Sequence, residues 1–410
     1  MTRIVAKFGG TSVADIERIE RAADKIQREY ESGNQVAVVV SAMSGVTNQL
    51  VEYCKNISPM HDAREYDTVV ASGEQVTAGL MALALQKRGV SARSWLGWQV
   101  PILCDEIHGK SRILEINSAA VEKRLNEGEV VVLAGFQGVT KLNRIATLGR
   151  GGSDTSAVAL AAAINAERCD IYTDVDGIYT TDPRIVSKAR KISEISYEEM
   201  LELASLGAKV LQTRSVEMAM KHGTSLQVLS SFEDKIGSEL PGTLVKREDQ
   251  IMEEPVVNGV AYSRDEAKIT LLNVQDIPGI AAKVFTPLAK SNINVDMIVQ
   301  NISKDGKTTD MTFTVSRNDV DHARKVLDSV DFLKAAEIIV DPNVSKISVV
   351  GIGMRSHAGV AQTMFQALAE KGVNILVIST SEIKVSVLVE RDYTELAVRA
   401  LHSAYKLEES

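Results

Sequence analysis

Ile4-Val5-Ala6-Lys7-Phe8-Gly9-Gly10-Thr11-Ser12 is the stretch from which the fold is read. Its first five residues form a short, mostly apolar run suited to a strand. Val13–Tyr30 behind it has the 3.6-residue periodicity of a helix that ends before Ser32-Gly33-Asn34. A strand that passes through two glycines into a helix opens an α/β unit. Gly9 and Gly10 let backbone N–H groups approach an anion, the helix N-terminus adds a favourable dipole, and Lys7 adds a full positive charge. Ser12 and Asp15 resemble a capping box with Asp in place of Glu. The spacing is not that of a Walker A loop. Taken alone, the stretch reads better as a plain strand–helix turn with a stray lysine.

Outward from it, the alternation continues. Val36–Val40 is wholly apolar, as in a strand buried on both faces. A helix is predicted over Thr68–Arg88, stopped by Gly89. Val130–Ala134 reads as a strand, Ser156–Asn165 as an Ala-rich helix and Cys169–Thr173 as a strand. Strand–helix alternation over about 230 residues predicts an α/β domain with a mostly parallel sheet. Pro241-Gly242 and the charged run Lys246–Glu254 then mark a domain boundary. Beyond it lies an internal repeat. Gly279 matches Gly359, Ala281 matches Ala361, Phe285 matches Phe365, Leu288 matches Leu368 and Asn294 matches Asn374 at a constant offset. Further on, Arg317 matches Arg391 and Leu327 matches Leu401 at an offset six residues shorter, lost at the Lys304-Asp305-Gly306-Lys307 turn. Each copy reads as a ferredoxin-like βαββαβ unit, and two copies are too few for a solenoid, so they are expected to pair side by side.

Composition bounds the class. The chain has 410 residues, too many for one typical domain. Aromatics are only 4%, so the core must be Val, Ile, Leu and Ala, which suits parallel sheets covered by helices. The net charge is −8 and no basic run interrupts it, which predicts no nucleic-acid partner. Cys54, Cys104 and Cys169 are scattered without metal or disulfide spacing and predict reduced thiols in a cytoplasmic protein. Met1–Phe8 lacks the apolar region of a signal peptide, and no apolar stretch reaches the roughly 20 residues of a membrane span, so no membrane partner is expected.

Four more blocks carry chemistry. Gly149-Arg150-Gly151-Gly152-Ser153-Asp154-Thr155-Ser156 is a second glycine-rich loop leading into a helix, with an arginine suited to bidentate binding of carboxylate or phosphate. Ser41-Ala42-Met43-Ser44-Gly45-Val46-Thr47-Asn48 puts hydroxyls at the end of an apolar strand. Ser72-Gly73-Glu74-Gln75 places a glycine and an acid inside a helix, with Glu74 either receiving an ammonium group or simply solvated. Tyr172–Arg184 holds acids, hydroxyls and an arginine able to bind a nucleotide. Its Asp174, Asp176 and Asp182, with Asp170 before it, lack EF-hand spacing. Two anion loops at different strand ends are harder to dismiss than one, because ligands of α/β sheets bind at the carboxyl ends of strands. None of the six histidines lies in the five blocks, and each is read as a surface or core residue.

Together with Gly207-Ala208-Lys209-Val210-Leu211, these blocks resemble the aspartate kinases of the amino-acid kinase superfamily. The resemblance covers the whole chain, because the C-terminal repeats look like the paired ACT domains of the same enzymes. It implies a three-layer αβα kinase domain over 1–246, a linker over 247–264 and two ACT domains over 265–343 and 344–410. By it, Lys7, Phe8, Gly9, Gly10 and Ser41 hold the ATP phosphates with Lys209. Thr173, Asp174, Tyr179, Asp182 and Arg184 line the adenosine side. Thr47, Glu74, Arg150, Gly151, Gly152, Ser153 and Asp154 hold aspartate, with Lys7, Asp154 and Lys209 catalytic. Asp276, Gly279, Ala281, Asn294 and Gln300 are implied effector contacts, as are Val360, Ala361, Asn374, Ile375, Ser381 and Glu382. The implied reaction is Mg²⁺-ATP-dependent phosphorylation of L-aspartate to 4-phospho-L-aspartate, the first step towards lysine, threonine and methionine. The resemblance also implies feedback by lysine and/or threonine and a homo-oligomer formed through the ACT domains. A shorter regulatory subunit starting near Met252 is a further expectation. No protein-built metal site is expected.

Physics agrees with that chemistry. An aspartate β-carboxylate, pKa about 3.9, is already ionised at neutral pH and needs no general base. The protein's task is to align two anions and neutralise the transferring phosphoryl group. Another carboxylate kinase of the superfamily, glutamate or acetylglutamate kinase, is disfavoured by the tandem repeat. A catalytically silent ligand sensor is the reading from a different class, and Lys7, Arg150, Asp154 and Lys209 weigh against it.

Overall fold

The computed structural model describes residues 2–205, 210–251, 256–302, 307–333, 336–355, 357 and 359–409. Lys209, Met252 and most of the Lys304–Lys307 turn lie outside the described residues. The chain divides into two compact units: Met1–Ile178, Lys191–Ala204 and Lys209–Met252 form one, and Tyr179–Arg190, Ser205–Ala208 and Glu253–Ser410 the other.

The first unit is built on an eight-stranded sheet. Its strands are β1 (Arg3–Phe8), β2 (Gln35–Val40), β3 (Ala92–Trp95), β4 (Val130–Ala134), β5 (Arg168–Thr173), β6 (Glu194–Ser196), β7 (Ser225–Ser230) and β8 (Thr243–Lys246), in the order β6-β8-β7-β5-β1-β2-β4-β3. All neighbours are parallel except β7 and β8. β1 is central and alternates its side chains. Ile4, Ala6 and Phe8 join a core cluster with α1 (Ile16–Glu31) and with Ala78, Met81 and Leu85 further along the chain. Lys7 belongs to the opposite face, as period-2 alternation requires.

Two predicted features come out differently. Asp15 caps α1 alone, accepting the Arg18 N–H at 2.8 Å, while the Ser12 hydroxyl donates to the Tyr172 carbonyl at 3.3 Å. The capping box is therefore absent, because a single 3₁₀ turn, Gly10–Val13, separates the glycines from the helix. The Thr68–Arg88 helix is really two, α3 (Ala63–Val70) and α4 (Ser72–Lys87), preceded by α2 (Val46–Ile57). End to end, Ala63–Lys87 is 25 residues long and apolar enough for a membrane span by length and composition. The sequence reading found no such stretch. In the fold it covers the sheet, with Asp67 and Glu74 buried along it.

The second unit holds one antiparallel six-stranded sheet. Its strands are β9 (Gly259–Gln275), β10 (Asp296–Ile302), β11 (Thr308–Val315), β12 (Glu337–Val350), β13 (Val377–Thr380) and β14 (Lys384–Glu390), in the order β10-β11-β9-β12-β14-β13. The repeat is evident in the backbone: Gly279 and Gly359 cap equivalent helices, Ile280–Lys290 and Val360–Glu370, both in left-handed conformation at φ +86° and +103°. The copies are not separate sheets, however. Lys268–Leu272 of β9 pair with Glu337–Asp341 of β12 in the first copy, whereas Gly259–Ser263 of β9 pair with Lys346–Val350 of β12 in the second. The start of β9 lies beside the second copy's part of β12 and so serves as its fourth strand, next to β12, β14 and β13. β9 begins inside the stretch read as a linker, and β12 runs through residue 343, where the ACT domains were divided. Each copy keeps its own apolar core, around Phe313 and Leu327 in the first and around Val387 and Leu401 in the second.

Candidate active site

The first unit gathers its functional side chains at the carboxyl ends of its parallel strands. Lys7 stands at the end of β1, 8% exposed. Its Nζ pairs with the Asp154 carboxylate in the first turn of α5 (Gly152–Ala163), where an acid also favours the helix dipole. Both partners are largely desolvated, so their attraction is less screened than at the surface, and losing either one would leave an uncompensated buried charge. Gly9 and Gly10 have ordinary negative-φ backbone. A methyl at Gly9 would stand 3.4 Å from Lys7 Nζ, an ordinary contact, whereas one at Gly10 would press on the Ala42 carbonyl oxygen at 3.2 Å. The Phe8 side chain is core, stacked on Tyr172 at 4.5 Å, so only its backbone can face a ligand. Its carbonyl accepts the Ser41 N–H at 3.1 Å, which ties the end of β2 to the glycine loop.

The segment after β2 leads through Gly45, in left-handed conformation, to Thr47 in the first turn of α2. The Ala42 N–H donates at 3.1 Å to Glu74 Oε1. Glu74 is 3% exposed, and its Oε2 has no hydrogen-bond partner among the described residues. It is a buried carboxylate with half its acceptor capacity unfilled, not a solvated surface acid. Burial pushes its pKa up to about 7.

Across the sheet edge, Gly135 follows β4, and a methyl there would crowd the Ser153 Oγ at 3.0 Å. Gly151 has φ +71°, and a side chain on it would collide with Gln212, so only glycine fits. Ser153 and Asp154 are each 8% exposed, whereas Arg150 is exposed and has no hydrogen bond or ion pair among the described residues. The sequence reading passed over Phe136. Its φ is +69°, a strained value for a bulky residue, its N–H donates to Ser156 Oγ at 3.1 Å, and its ring lies against Gly152. The signal was present as Gly135-Phe136-Gln137-Gly138 directly after an apolar strand.

Thr173 and Asp174 close the row at the end of β5, joined by a 3.2 Å hydrogen bond. From Tyr179 onward that motif belongs to the second unit. There Asp182 accepts the Arg184 backbone N–H at 2.9 Å, its guanidinium at 2.8 Å and the Tyr262 hydroxyl at 3.1 Å. The Arg184 guanidinium, with Tyr262, holds the Asp182 carboxyl below its ordinary range. Tyr179 precedes Thr180, whose hydroxyl meets His402 Nε2 at 2.9 Å in the interior of that unit. Among the effector candidates, Val360 is buried, Ala281, Ala361, Ile375 and Asp276 are half-buried, and Asn294, Gln300, Asn374, Ser381 and Glu382 are exposed. The Asp276 N–H donates to the Lys307 carbonyl and the Ser381 N–H to the Lys384 carbonyl, placing both at strand ends, with Asp276 just before the Gly279 cap. The three cysteines are free thiols, and burial pushes that of Cys104 up to about 12.

Residues 2–230 match the Amino acid kinase family model, and residues 268–332 and 347–405 each match an ACT domain model. The aspartate kinase Ask_LysC of Stutzerimonas stutzeri is 54% identical over 410 residues, covering all of this chain and 98% of the relative. The chain belongs to the aspartate kinase family. It is therefore an enzyme, an ATP-using phosphotransferase. Crystal structures of Escherichia coli aspartokinase III share the architecture. The complex with aspartate and ADP has TM-score 0.80 at 28% identity, covering 98% of this chain and 99% of that one. The complex with lysine and aspartate has TM-score 0.76 at 29% identity, with 98% of each chain covered. The family explains why lysine, glycines and buried carboxylates converge at one sheet edge without a histidine among them.

Proposed function

We propose that this aspartate kinase transfers the ATP γ-phosphoryl group to the β-carboxylate of L-aspartate, giving 4-phospho-L-aspartate for lysine, threonine and methionine synthesis. The observation that carries this is the pair of buried carboxylates. Asp154 neutralises Lys7 in the resting protein, and Glu74 keeps one oxygen unpartnered, an acceptor awaiting a cation. An α-ammonium group fits Glu74, and the free Arg150 fits a substrate carboxylate. Lys7 neutralises phosphoryl charge as it develops, without moving a proton. Among the described residues no three His, Cys, Asp or Glu side chains converge as a metal cage. Mg²⁺ carried on the nucleotide would supply charge neutralisation on the phosphates. The test is a coupled assay for ADP release with ATP and each of aspartate, glutamate and acetylglutamate. ADP release that does not depend on aspartate would overturn the reading.

Glu74 adds a pH signature. A raised carboxyl pKa means that the folded protein keeps this proton when the unfolded chain has lost it. The contribution to stability is fully present below pH 4.5 and is lost as pH rises through about 7, amounting to about 3 kcal/mol. Aspartate binding needs the ionised form, so the KM for aspartate falls as pH rises towards 7 and levels above it. E74Q flattens both profiles, as read by denaturant unfolding and by initial rates.

For regulation, we propose an amino-acid effector of the aspartate family, lysine and/or threonine, held beside the Gly279 and Gly359 helix starts of homo-oligomers joined through the ACT domains. The support is the equivalent left-handed caps in the two copies and the lysine complex of the Escherichia coli relative. A shorter regulatory subunit is part of the same proposal. Thermal shift with each amino acid, alone and paired, reads out the effector. A raised midpoint with lysine or threonine that is abolished by substituting Gln300 or Ser381 is expected.

A further inference from the structure

The loop that presents Arg150 is held from behind by two charged residues that no substrate need touch. Asp67, on α3, is fully buried. Its carboxylate accepts the Thr147 hydroxyl at 2.5 Å, His108 Nδ1 at 2.7 Å and the Gly109 N–H at 3.1 Å. No lysine or arginine pairs with it among the described residues, so neutral donors and one imidazole alone carry this charge. Arg214, in the helix Thr213–His222, donates to two carbonyls, Leu148 and Ser111, each at 2.8 Å. The two anchors are themselves joined, because the Ser111 N–H donates to the Thr147 carbonyl at 2.9 Å.

The result is a frame on both sides of one short peptide. Thr147 and Leu148 are gripped by Asp67 and Arg214 immediately before Gly149-Arg150. On the far side, Gly149 lies so close to His108-Gly109-Lys110 that a methyl on it would stand 3.1 Å from the Gly109 carbonyl. Asp67 also holds His108 and Gly109, so it sets both walls of the slot in which Gly149 sits. Among the described residues the Arg150 side chain has no hydrogen bond or ion pair. Its reach is set by its backbone, and its backbone is set by this frame.

We propose that Asp67 and Arg214 are positioning residues for aspartate, acting through the Thr147–Gly149 peptide to place Arg150. This rests on the reading of Arg150 as the ligand of a substrate carboxylate. The chemistry predicts a selective effect. Loosening the frame displaces a substrate-binding arginine and leaves the Lys7–Gly10 nucleotide loop on β1 where it is, and a displacement of an ångström at a binding group costs roughly ten- to a hundredfold.

The test is steady-state kinetics of D67N and R214K, each alone and combined with R150A, with thermal unfolding of every variant. D67N keeps the shape and removes the charge that draws three donors together. R214K keeps the charge but replaces the planar fork, whose two terminal nitrogens reach one carbonyl each, with a single ammonium on a differently shaped stem. The expected result is a roughly tenfold or larger rise in the KM for aspartate, with the KM for ATP unchanged. In the R150A background the same substitutions add no further rise, because the group they position is gone. An unchanged aspartate KM, an equal rise for both substrates, or full multiplicativity with R150A would overturn the proposal. If D67N shows no unfolding transition, T147V, which removes one donor and keeps the volume, takes its place with the same expected split. Wild-type turnover that depends on aspartate, with R150A at wild-type aspartate KM, would instead remove the Arg150 reading itself, and the frame's assignment falls with it.

Discussion

Replacing Lys7 with Ala lowers kcat by roughly a thousandfold, the cost of removing one preorganised positive group aimed at developing phosphoryl charge. The structure adds a second consequence. Lys7 is paired with Asp154 in a nearly closed environment, the two side chains being 10% and 11% exposed. Removing the lysine leaves a buried carboxylate without its partner, which costs about 3–5 kcal/mol unless the acid takes up a proton. K7A is thus expected to lose stability as well as turnover, and the two losses separate. In K7A/D154N the buried charge is gone and the unfolding midpoint recovers, while turnover stays at the K7A level. Circular dichroism melts and initial rates at saturating substrates check this. Near-normal turnover in K7A, or recovery of activity along with stability in the double variant, would contradict an electrostatic role for Lys7.

Arg150→Ala has the opposite profile. Arg150 is exposed and makes no hydrogen bond or ion pair among the described residues, so its loss is expected to leave the unfolding midpoint within error. A charge-assisted bidentate contact to a carboxylate contributes about 3 kcal/mol, so the KM for aspartate rises by roughly a hundredfold. The KM for ATP stays put. R150K is expected to recover little, because an ammonium cannot reproduce the planar fork. A change confined to the ATP constant would place Arg150 on the nucleotide side instead.

These two residues show what kind of information a linear pattern holds. Lys7 at the end of an apolar strand and Arg150 in a glycine-rich loop both stand just before helices, and that local grammar is what singles them out as candidates. Glu74 is harder. Its neighbours along α4 do not mark it as buried, because its burial comes from the Ala42 segment, which covers it from another strand end. Asp67 and Arg214 carry no local signature, since their partners lie 41 to 103 residues away. His108, read from sequence as one more unremarked histidine, is a member of the Asp67 cluster for the same reason.

The alternation of apolar strands with amphipathic helices determined the kinase sheet, because period 2 and period 3.6 are set by backbone geometry and need no knowledge of distant residues. The matched glycines determined that the C-terminal half is a repeat, since the left-handed turn before each helix is a local requirement met at Gly279 and Gly359. How the copies share strands was decided only in three dimensions. β9 and β12 are long enough to serve both copies, and the second copy completes its sheet with Gly259–Ser263 from before the first. Strand pairing joins residues far apart in sequence through backbone groups that every residue carries, so no side-chain pattern announces the partner. The same holds for Tyr179–Arg190, which reads along the chain as part of the kinase motif and packs with the second unit, where Tyr262 and His402 supply its partners.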